Sequence, residues 1–202
     1  MLNLIKCGIG NIGSVKNALN AIGVEPTIVQ QPSGINHDYK KIILPGVGSF
    51  DSFIDSLKET KLFDEIKKLV SIDKYKILGI CVGMQSFFER SDEGNQKGLG
   101  LIKGNLIKFD NKTGFKVPHM GWNNINIKNS NNLLEDLPKN RFYFAHSYYL
   151  ENINDDFILC NTKHDITFPS SINYENIYGV QFHPEKSFLQ GQKILRNFID
   201  KC

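Results

Sequence analysis

The sequence lacks paired cysteines, long apolar runs and a strong charge of either sign. Its four cysteines are far apart, with no CxxC or CxxxC pair, so it offers neither a metal-binding cysteine cluster nor a disulfide framework. No stretch approaches the length of a membrane span, and the apolar run at the start is too short for a signal peptide. The net charge is only +3, and the basic residues are scattered. We therefore expect a cytoplasmic protein that contacts neither a membrane nor nucleic acid.

The composition is that of an ordinary globular protein. A chain of 202 residues with 41% hydrophobic and 22% charged residues is most simply one domain, spanning 1–202. Its first half alternates short apolar runs with helical patterns, and its second half is mostly strand-like before a final helix. This order predicts an α/β fold, with a central, mostly parallel sheet flanked by helices and an antiparallel extension.

One short stretch, ILGICVGMQ at 77–85, predicts a reactive cysteine. A buried strand ends at Cys81, with Gly79 two residues before it and Gly83 two residues after it. This is the pattern of a nucleophile elbow with sulfur in place of the serine oxygen. Side chains at the two glycines would collide in such a turn, and the following helix would favour the thiolate. The alternative is a buried cysteine that only ends a core strand.

A cysteine nucleophile needs a base and a group that orients the base. The sequence QFHPE offers both, because His183 and Glu185 can point the same way from an extended segment that Pro184 stiffens. A carboxylate so placed fixes the tautomer of the imidazole and stabilises its protonated form. The further histidines are His37 and His164, in polar loop-like surroundings, and His119 and His146, on strands or strand ends. His183 and Glu185 are the favoured pair.

Together these motifs resemble those of the class I, or triad, glutamine amidotransferases. The resemblance rests on GICVGMQ at 79–85 and FHPE at 182–185. Within that family, LPGVGSF, KVPHMGWN, FYFAHSYY and QFHPEKS are most similar to the glutaminase subunits of imidazole glycerol phosphate synthase, and they spread across nearly the whole chain. The resemblance implies a flavodoxin-like amidotransferase fold in a single domain.

The resemblance also implies a mechanism. Cys81 would attack the side-chain amide of glutamine, His183 would move the proton, and Glu185 would orient His183. The backbone N–H groups of Val47 and Val82 would form the oxyanion hole, which suits donors fixed before the charge develops. The residues implied for binding glutamine are Gly46, Gln85, Glu93, His146, Ser147 and Tyr148. No cofactor and no metal is implied.

A partner is implied because all the recognisable machinery serves to make ammonia. Ammonia released into water is mostly protonated, so a second protein should receive it directly. The resemblance implies a heterodimer with a cyclase subunit, a (β/α)₈ barrel that makes imidazole glycerol phosphate and aminoimidazole carboxamide ribonucleotide in histidine biosynthesis. The surface implied for this contact includes Asn11, Pro118, His119, Met120 and Trp122.

One loop departs from the family pattern. The family usually has Asp-Tyr-Gly-x-Gly-Asn where this chain has KCGIGN at 6–11. The glycines and the asparagine are kept, so we expect the turn to survive, but any contact made by the missing acid is in doubt. The departure leaves open a paralogous glutaminase that supplies ammonia to a synthase acting on a sugar precursor.

Other functions also remain open at this point. One is a non-catalytic binding subunit of the same fold, and another is a cysteine peptidase or a thiol protein of related fold. The glutaminase of pyridoxal phosphate synthesis has Gly-Gly-Glu-Ser-Thr where this chain has PGVGSF at 45–50, which argues against it.

Overall fold

The computed structural model describes residues 1–8, 11–72, 74–110 and 116–202. The first half of the chain alternates strands and helices, as its sequence predicts. In chain order the elements are β1 (Asn3–Ile5), α1 (Ile12–Ala21), β2 (Thr27–Val29), β3 (Lys41–Gly46), α2 (Phe50–Glu59), α3 (Leu62–Val70), β4 (Lys76–Cys81) and α4 (Val82–Gln85).

The second half is mainly strands closed by one long helix. These elements are β5 (Arg90–Ser91), β6 (Asn105–Lys108), β7 (His119–Asn124), β8 (Asn126–Ile127), β9 (Arg141–His146), β10 (Tyr148–Glu151), β11 (Ile158–Lys163), β12 (Thr167–Tyr174), β13 (Ile177–Val180) and α5 (Phe188–Asp200). Within the described ranges, every helix is too short or too polar to cross a bilayer.

An eight-stranded sheet organises the molecule, in the order β2-β1-β3-β4-β13-β12-β11-β8. The first five of these strands are mutually parallel, and the last three pairings are antiparallel. This confirms the predicted mostly parallel sheet with an antiparallel extension. Helix α1 packs against α5, while α2 packs against α3 and α4. The apolar side chains of strands and helices share one hydrophobic cluster.

Two smaller sheets cover the carboxyl end of β4. Strand β7 pairs antiparallel with β9, with His119 opposite His146 and Trp122 opposite Tyr143. Strands β10, β6 and β5 form the other small sheet. The run RFYFAHSYYL, which reads as one strand, is therefore two strands that break at Ser147 and belong to different sheets.

The helical segments also differ from the sequence pattern in two places. The long amphipathic stretch after β3 is two helices, because Lys61 takes a left-handed conformation with φ 60° between them. The helix after Cys81 is a single turn, so its dipole is much weaker than the pattern suggested.

Strand β12 has no clear period-2 pattern in the sequence, since Pro169 and two adjacent serines interrupt its apolar residues.

Glycines allow β3, β4 and α4 to approach closely beside Cys81. A Cβ on Gly83 would lie 1.9 Å from the main-chain oxygen of Leu44, and a Cβ on Gly79 would lie 2.6 Å from Cα of Met84. Real Cβ contacts are never this short, so the predicted collision at both flanking glycines is confirmed. The backbone of Cys81 itself is left-handed, with φ 53° and ψ −114°.

We expect Gly83→Ala to lower the free energy of unfolding by about 1–3 kcal/mol, the usual cost of forcing an extra carbon into a packed interior. The matched control is Gly13→Ala in α1, where an added Cβ has no neighbour within 4 Å. The control should be neutral or more stable by up to about 1 kcal/mol, because alanine favours helix. Urea unfolding of the purified variants measures both. Equal stability of Gly83→Ala and the parent would contradict the close approach.

Candidate active site

Cys81 lies at the carboxyl end of β4, in the middle of the sheet, where a parallel sheet collects its reactive groups. Non-glycine residues rarely adopt its left-handed backbone, and such conformations cluster at functional sites. The strained turn places the sulfur at a cavity of about 230 Å³. The residues that line this cavity are Gly48, Cys81, Val82, Gln85, Glu93, Pro118, Met120, Ala145, His146, Ser147 and Tyr148.

His183 faces the sulfur from the segment that follows β13. Its main-chain N–H donates to the Tyr143 carbonyl at 2.8 Å, and its carbonyl accepts from Oγ of Ser187 at 2.6 Å, so the backbone is held on both sides. Nδ1 donates to Oε1 of Glu185 at 2.8 Å, and both side chains are buried. The other ring nitrogen, Nε2, is left for the Cys81 sulfur. The structure thus brings the three predicted catalytic residues together.

The charge state of His183 is set by these neighbours. Burial alone would lower its pKa, but the charge and hydrogen bond of the Cys81 sulfur, followed by those of Glu185, raise it to about 10. The charged imidazole therefore stabilises the fold fully below its ordinary pKa near 6.5, and this stabilisation is lost as the pH rises through about 10. At neutral pH the His183 ring is therefore charged, between the Cys81 sulfur and the Glu185 carboxylate.

The other three cysteines do not share this environment. Burial raises the pKa of Cys7 and of Cys160 to about 12, and it also raises the pKa of Cys202. All three are free, buried thiols, and their pKa values show no contribution from an imidazole among the described residues. Cys81 is the cysteine that the structure equips for nucleophilic attack.

Most of the residues predicted to bind glutamine line the cavity. Gln85, Glu93, His146, Ser147 and Tyr148 all do so. Oε2 of Glu93 accepts from the first main-chain N–H of α2, at Phe50, over 2.7 Å. Gly46 is an exception: it packs beneath the site, where a Cβ would lie 2.3 Å from the nitrogen of Gly83, and Gly48 lines the cavity instead.

His146 and His119 form a buried chain behind the cavity wall. Nδ1 of His146 lies 2.7 Å from the Tyr148 carbonyl and must donate to it, so its Nε2 accepts from Nδ1 of His119 at 3.0 Å. Asn123 then donates to Nε2 of His119 at 3.1 Å. Burial, more than the neighbouring histidines, lowers the pKa of His119 to about 4 and that of His146 to about 3. Both rings are neutral at physiological pH.

The buried position of His119 corrects its predicted place on the contact surface. Its ring stacks on Phe144 with centroids 4.7 Å apart and is almost fully enclosed. It faces inward because residues alternate along β7, so that Met120 and Trp122 point outward while His119 does not. Pro118, Met120 and Trp122 are exposed, and Asn11 is half-buried.

The loop at 6–11, which departs from the family's sequence pattern, is only partly described by the structure. Lys6 is exposed, Cys7 is buried, and Gly8 has the positive φ of 58° that a turn needs. Ile9 and Gly10, and with them the expectation that the whole turn survives, lie outside the described residues.

Sequence reasoning missed two groups that touch the sulfur. Nε2 of Gln181 lies 3.6 Å from Sγ, and Sγ lies 3.9 Å from the main-chain oxygen of Ala145. Gln181 had a readable signal, because it is the polar residue in the apolar run before His183. The Ala145 carbonyl had none, since any residue carries that group.

Comparison with known proteins agrees with this geometry. The family model "Glutamine amidotransferase class-I" matches residues 3–202. The chain is 46% identical, over all of both chains, to imidazole glycerol phosphate synthase subunit HisH 2 of Methanococcus maripaludis, and 40% identical to the HisH subunit of Leptospira borgpetersenii over 98% of each. It is also similar in fold to PurLQS from Thermotoga maritima, with a TM-score of 0.76 at 22% identity, covering 98% of this chain and 97% of that one.

We expect Glu185→Gln to keep partial glutaminase activity but to move the alkaline limb of its pH profile to lower pH. The neutral amide can still accept from Nδ1, yet it no longer stabilises the charged ring, so the imidazolium loses its proton earlier. His183→Asn should cost more, on the order of 10²–10⁴ in turnover. Glutamate release measured from pH 6 to about 10.5 covers the raised pKa. An unmoved alkaline limb in a folded Glu185→Gln variant would contradict the assigned charge coupling.

Proposed function

The chain belongs to the class-I glutamine amidotransferase family, and we propose that it is the glutaminase subunit of an imidazole glycerol phosphate synthase. In this role it releases ammonia from glutamine for the cyclase subunit in histidine biosynthesis. The observation that carries the proposal is the left-handed Cys81 facing the buried His183–Glu185 pair, in a chain similar over its full length to HisH subunits. A non-catalytic binding subunit would have no need of this strained and buried arrangement.

The chemistry follows from the three side chains. The Cys81 thiolate attacks the amide carbon of glutamine, and the resulting oxyanion is held by the N–H groups of Val82 and Val47. The His183 imidazolium gives its proton to the amide nitrogen, and the C–N bond breaks to release ammonia. His183, now neutral, takes a proton from water, which attacks the thioester carbon. The C–S bond breaks, glutamate leaves, and the thiolate–imidazolium pair is restored.

The cavity suits the substrate of this reaction. Its volume of about 230 Å³ matches a small amino acid rather than a peptide or nucleotide. Glu93 provides a carboxylate for the α-amino group, and Ser147 and Tyr148 also line the cavity. The small-molecule substrate that we propose for it is free glutamine, bound without a cofactor or metal.

The proposed contact with the cyclase lies on the outer face of β7. Met120 both lines the cavity and is 63% exposed, so it connects the active site with the surface. Trp122 points the same way and stacks on Phe188, which is itself 73% exposed. Two aromatic rings held flat at the surface are typical of an interface anchor. We propose that a (β/α)₈-barrel cyclase covers Pro118, Met120 and Trp122, and also Asn11, in a heterodimer.

We expect Cys81→Ala to abolish synthesis of imidazole glycerol phosphate from glutamine while leaving synthesis from ammonium salts intact. The reason is that Cys81 only makes ammonia, whereas the acceptor chemistry belongs to the cyclase. The assay uses the reconstituted complex with either nitrogen source. Cys160→Ser, which changes a buried thiol remote from the cavity, is the control and should keep both activities, apart from a loss of stability. Loss of both activities in Cys81→Ala would contradict this division of labour.

We expect Trp122→Ala to weaken binding to the cyclase by roughly thirtyfold, equivalent to ~2 kcal/mol for a central aromatic anchor. The thermal stability of the isolated subunit should barely change, since Trp122 is not part of the core. Titration calorimetry with the cyclase measures the affinity. Ile72→Ala is the matched control, because Ile72 is 42% exposed but precedes β4 at the end of the sheet opposite Cys81. Comparable weakening by both variants, or by neither, would rule out this surface.

A further inference from the structure

A buried glutamine that the mechanism does not use lies against the nucleophile. Gln181 follows β13 and is completely buried, between the apolar residues Val180 and Phe182. Its Nε2 lies 3.6 Å from Sγ of Cys81, and its Oε1 lies 2.9 Å from Nε2 of Gln85. Burying a polar side chain among apolar residues costs free energy unless each of its polar groups has a hydrogen-bond partner.

The direction of these hydrogen bonds follows from a main-chain carbonyl. The Tyr148 oxygen can only accept, and Nε2 of Gln85 lies 3.4 Å from it, so Gln85 turns its NH₂ group to this side. The same NH₂ group faces Gln181 at 2.9 Å. Gln181 must therefore present its oxygen to Gln85, which leaves its own NH₂ group for the sulfur. Nδ1 of His146 donates to the same Tyr148 oxygen at 2.7 Å, which helps to hold this carbonyl in place.

We propose that Gln181 is a further catalytic residue, which stabilises the Cys81 thiolate by donating a hydrogen bond from Nε2 to Sγ. The inference rests on the proposed function, because it concerns the same nucleophile. When the sulfur is a thiol, its S–H points to the Ala145 carbonyl at 3.9 Å. When the proton moves from Sγ to His183, the sulfur becomes an acceptor for both Gln181 and His183. Gln181 keeps both amide protons throughout.

An amide has one advantage over the imidazole in this position. It remains a donor at every pH and in every step, whereas His183 loses its proton to the leaving nitrogen. Gln181 thus keeps a donor beside the sulfur while His183 is neutral, and it favours the thiolate as the leaving group when the C–S bond breaks. The other titratable groups that the structure describes around the sulfur are His183, Glu185 behind it, and His146, Glu93 and Tyr148 in the cavity wall.

The test measures the thiolate directly. The intact, isolated chain is alkylated with iodoacetamide between pH 4 and 10, and the rate at Cys81 is followed by peptide mass spectrometry. The other three cysteines have raised pKa values and do not line the cavity, so they react slowly and are resolved by mass. In Gln181→Met the loss of the hydrogen-bond donor should raise the midpoint pH of the alkylation rate at Cys81 by about one pH unit. Gln181→Glu should raise it further, because a carboxylate then faces the sulfur.

Two variants and a control keep the result interpretable. Gln181→Glu preserves the side-chain size and one oxygen for Gln85, so it tests the proposal even if Gln181→Met is unstable. Gln190→Met removes another buried glutamine, which donates to the Arg141 carbonyl and not to the sulfur, and should leave the midpoint unchanged. A midpoint that is unmoved in both Gln181 variants would overturn the proposal, and so would an equal shift in Gln190→Met.

The assay also separates this proposal from the proposed function, since it needs neither glutamine nor the cyclase. A raised midpoint in the Gln181 variants supports the hydrogen bond whatever the parent does with glutamine. Failure of the parent complex to use glutamine would overturn the proposed function alone.

Discussion

The structure depends on one strained residue, the left-handed Cys81 at the corner where β4 turns into α4. The turn is possible only because Gly79 and Gly83 let Met84 and Leu44 approach to distances that any side chain would prevent. Gly46, on the same strand as Leu44, likewise lets β3 approach the backbone of Val82 and Gly83. The two central parallel strands and the helical turn are therefore packed backbone to backbone, and the sulfur is held at a fixed position facing the cavity.

The polar groups around this corner are ordered by carbonyls that can only accept. The Tyr148 oxygen orients Gln85 on one side and His146 on the other, and through them it sets the direction of Gln181 and His119. Burial keeps the two outer histidines neutral, while the sulfur and Glu185 keep His183 charged. The imidazoles of His119, His146 and His183 thus differ in pKa by several units: the first two are neutral near neutral pH, and the third is charged. This separation of roles is what acid–base catalysis requires.

The sequence was most informative where a backbone constraint demands a particular residue type. Paired glycines about Cys81 and the proline between His183 and Glu185 predicted the corner and the triad, and the alternation of strands and helices predicted the parallel sheet. The sequence was least informative about which way side chains point and about where helices and strands end. His119 was expected on the surface that contacts the partner, but its side chain is buried. Side chains alternate along β7, and His119 lies on the inward-facing side. The helix after Cys81 ends after one turn, and β12 was hidden by Pro169. Contacts between distant segments, such as Gln181 with Gln85, depend on tertiary packing that no local pattern records.

Cys81 should form a covalent bond with the glutamine side chain during turnover. The most direct measurement is rapid acid quenching of the complex during turnover, followed by mass spectrometry of the peptide that contains residue 81. We expect a γ-glutamyl adduct on Cys81 that appears within the first turnover and disappears when glutamine is exhausted. Glutamine hydrolysis at full rate with no adduct, or with the adduct on Cys7, Cys160 or Cys202, would contradict it.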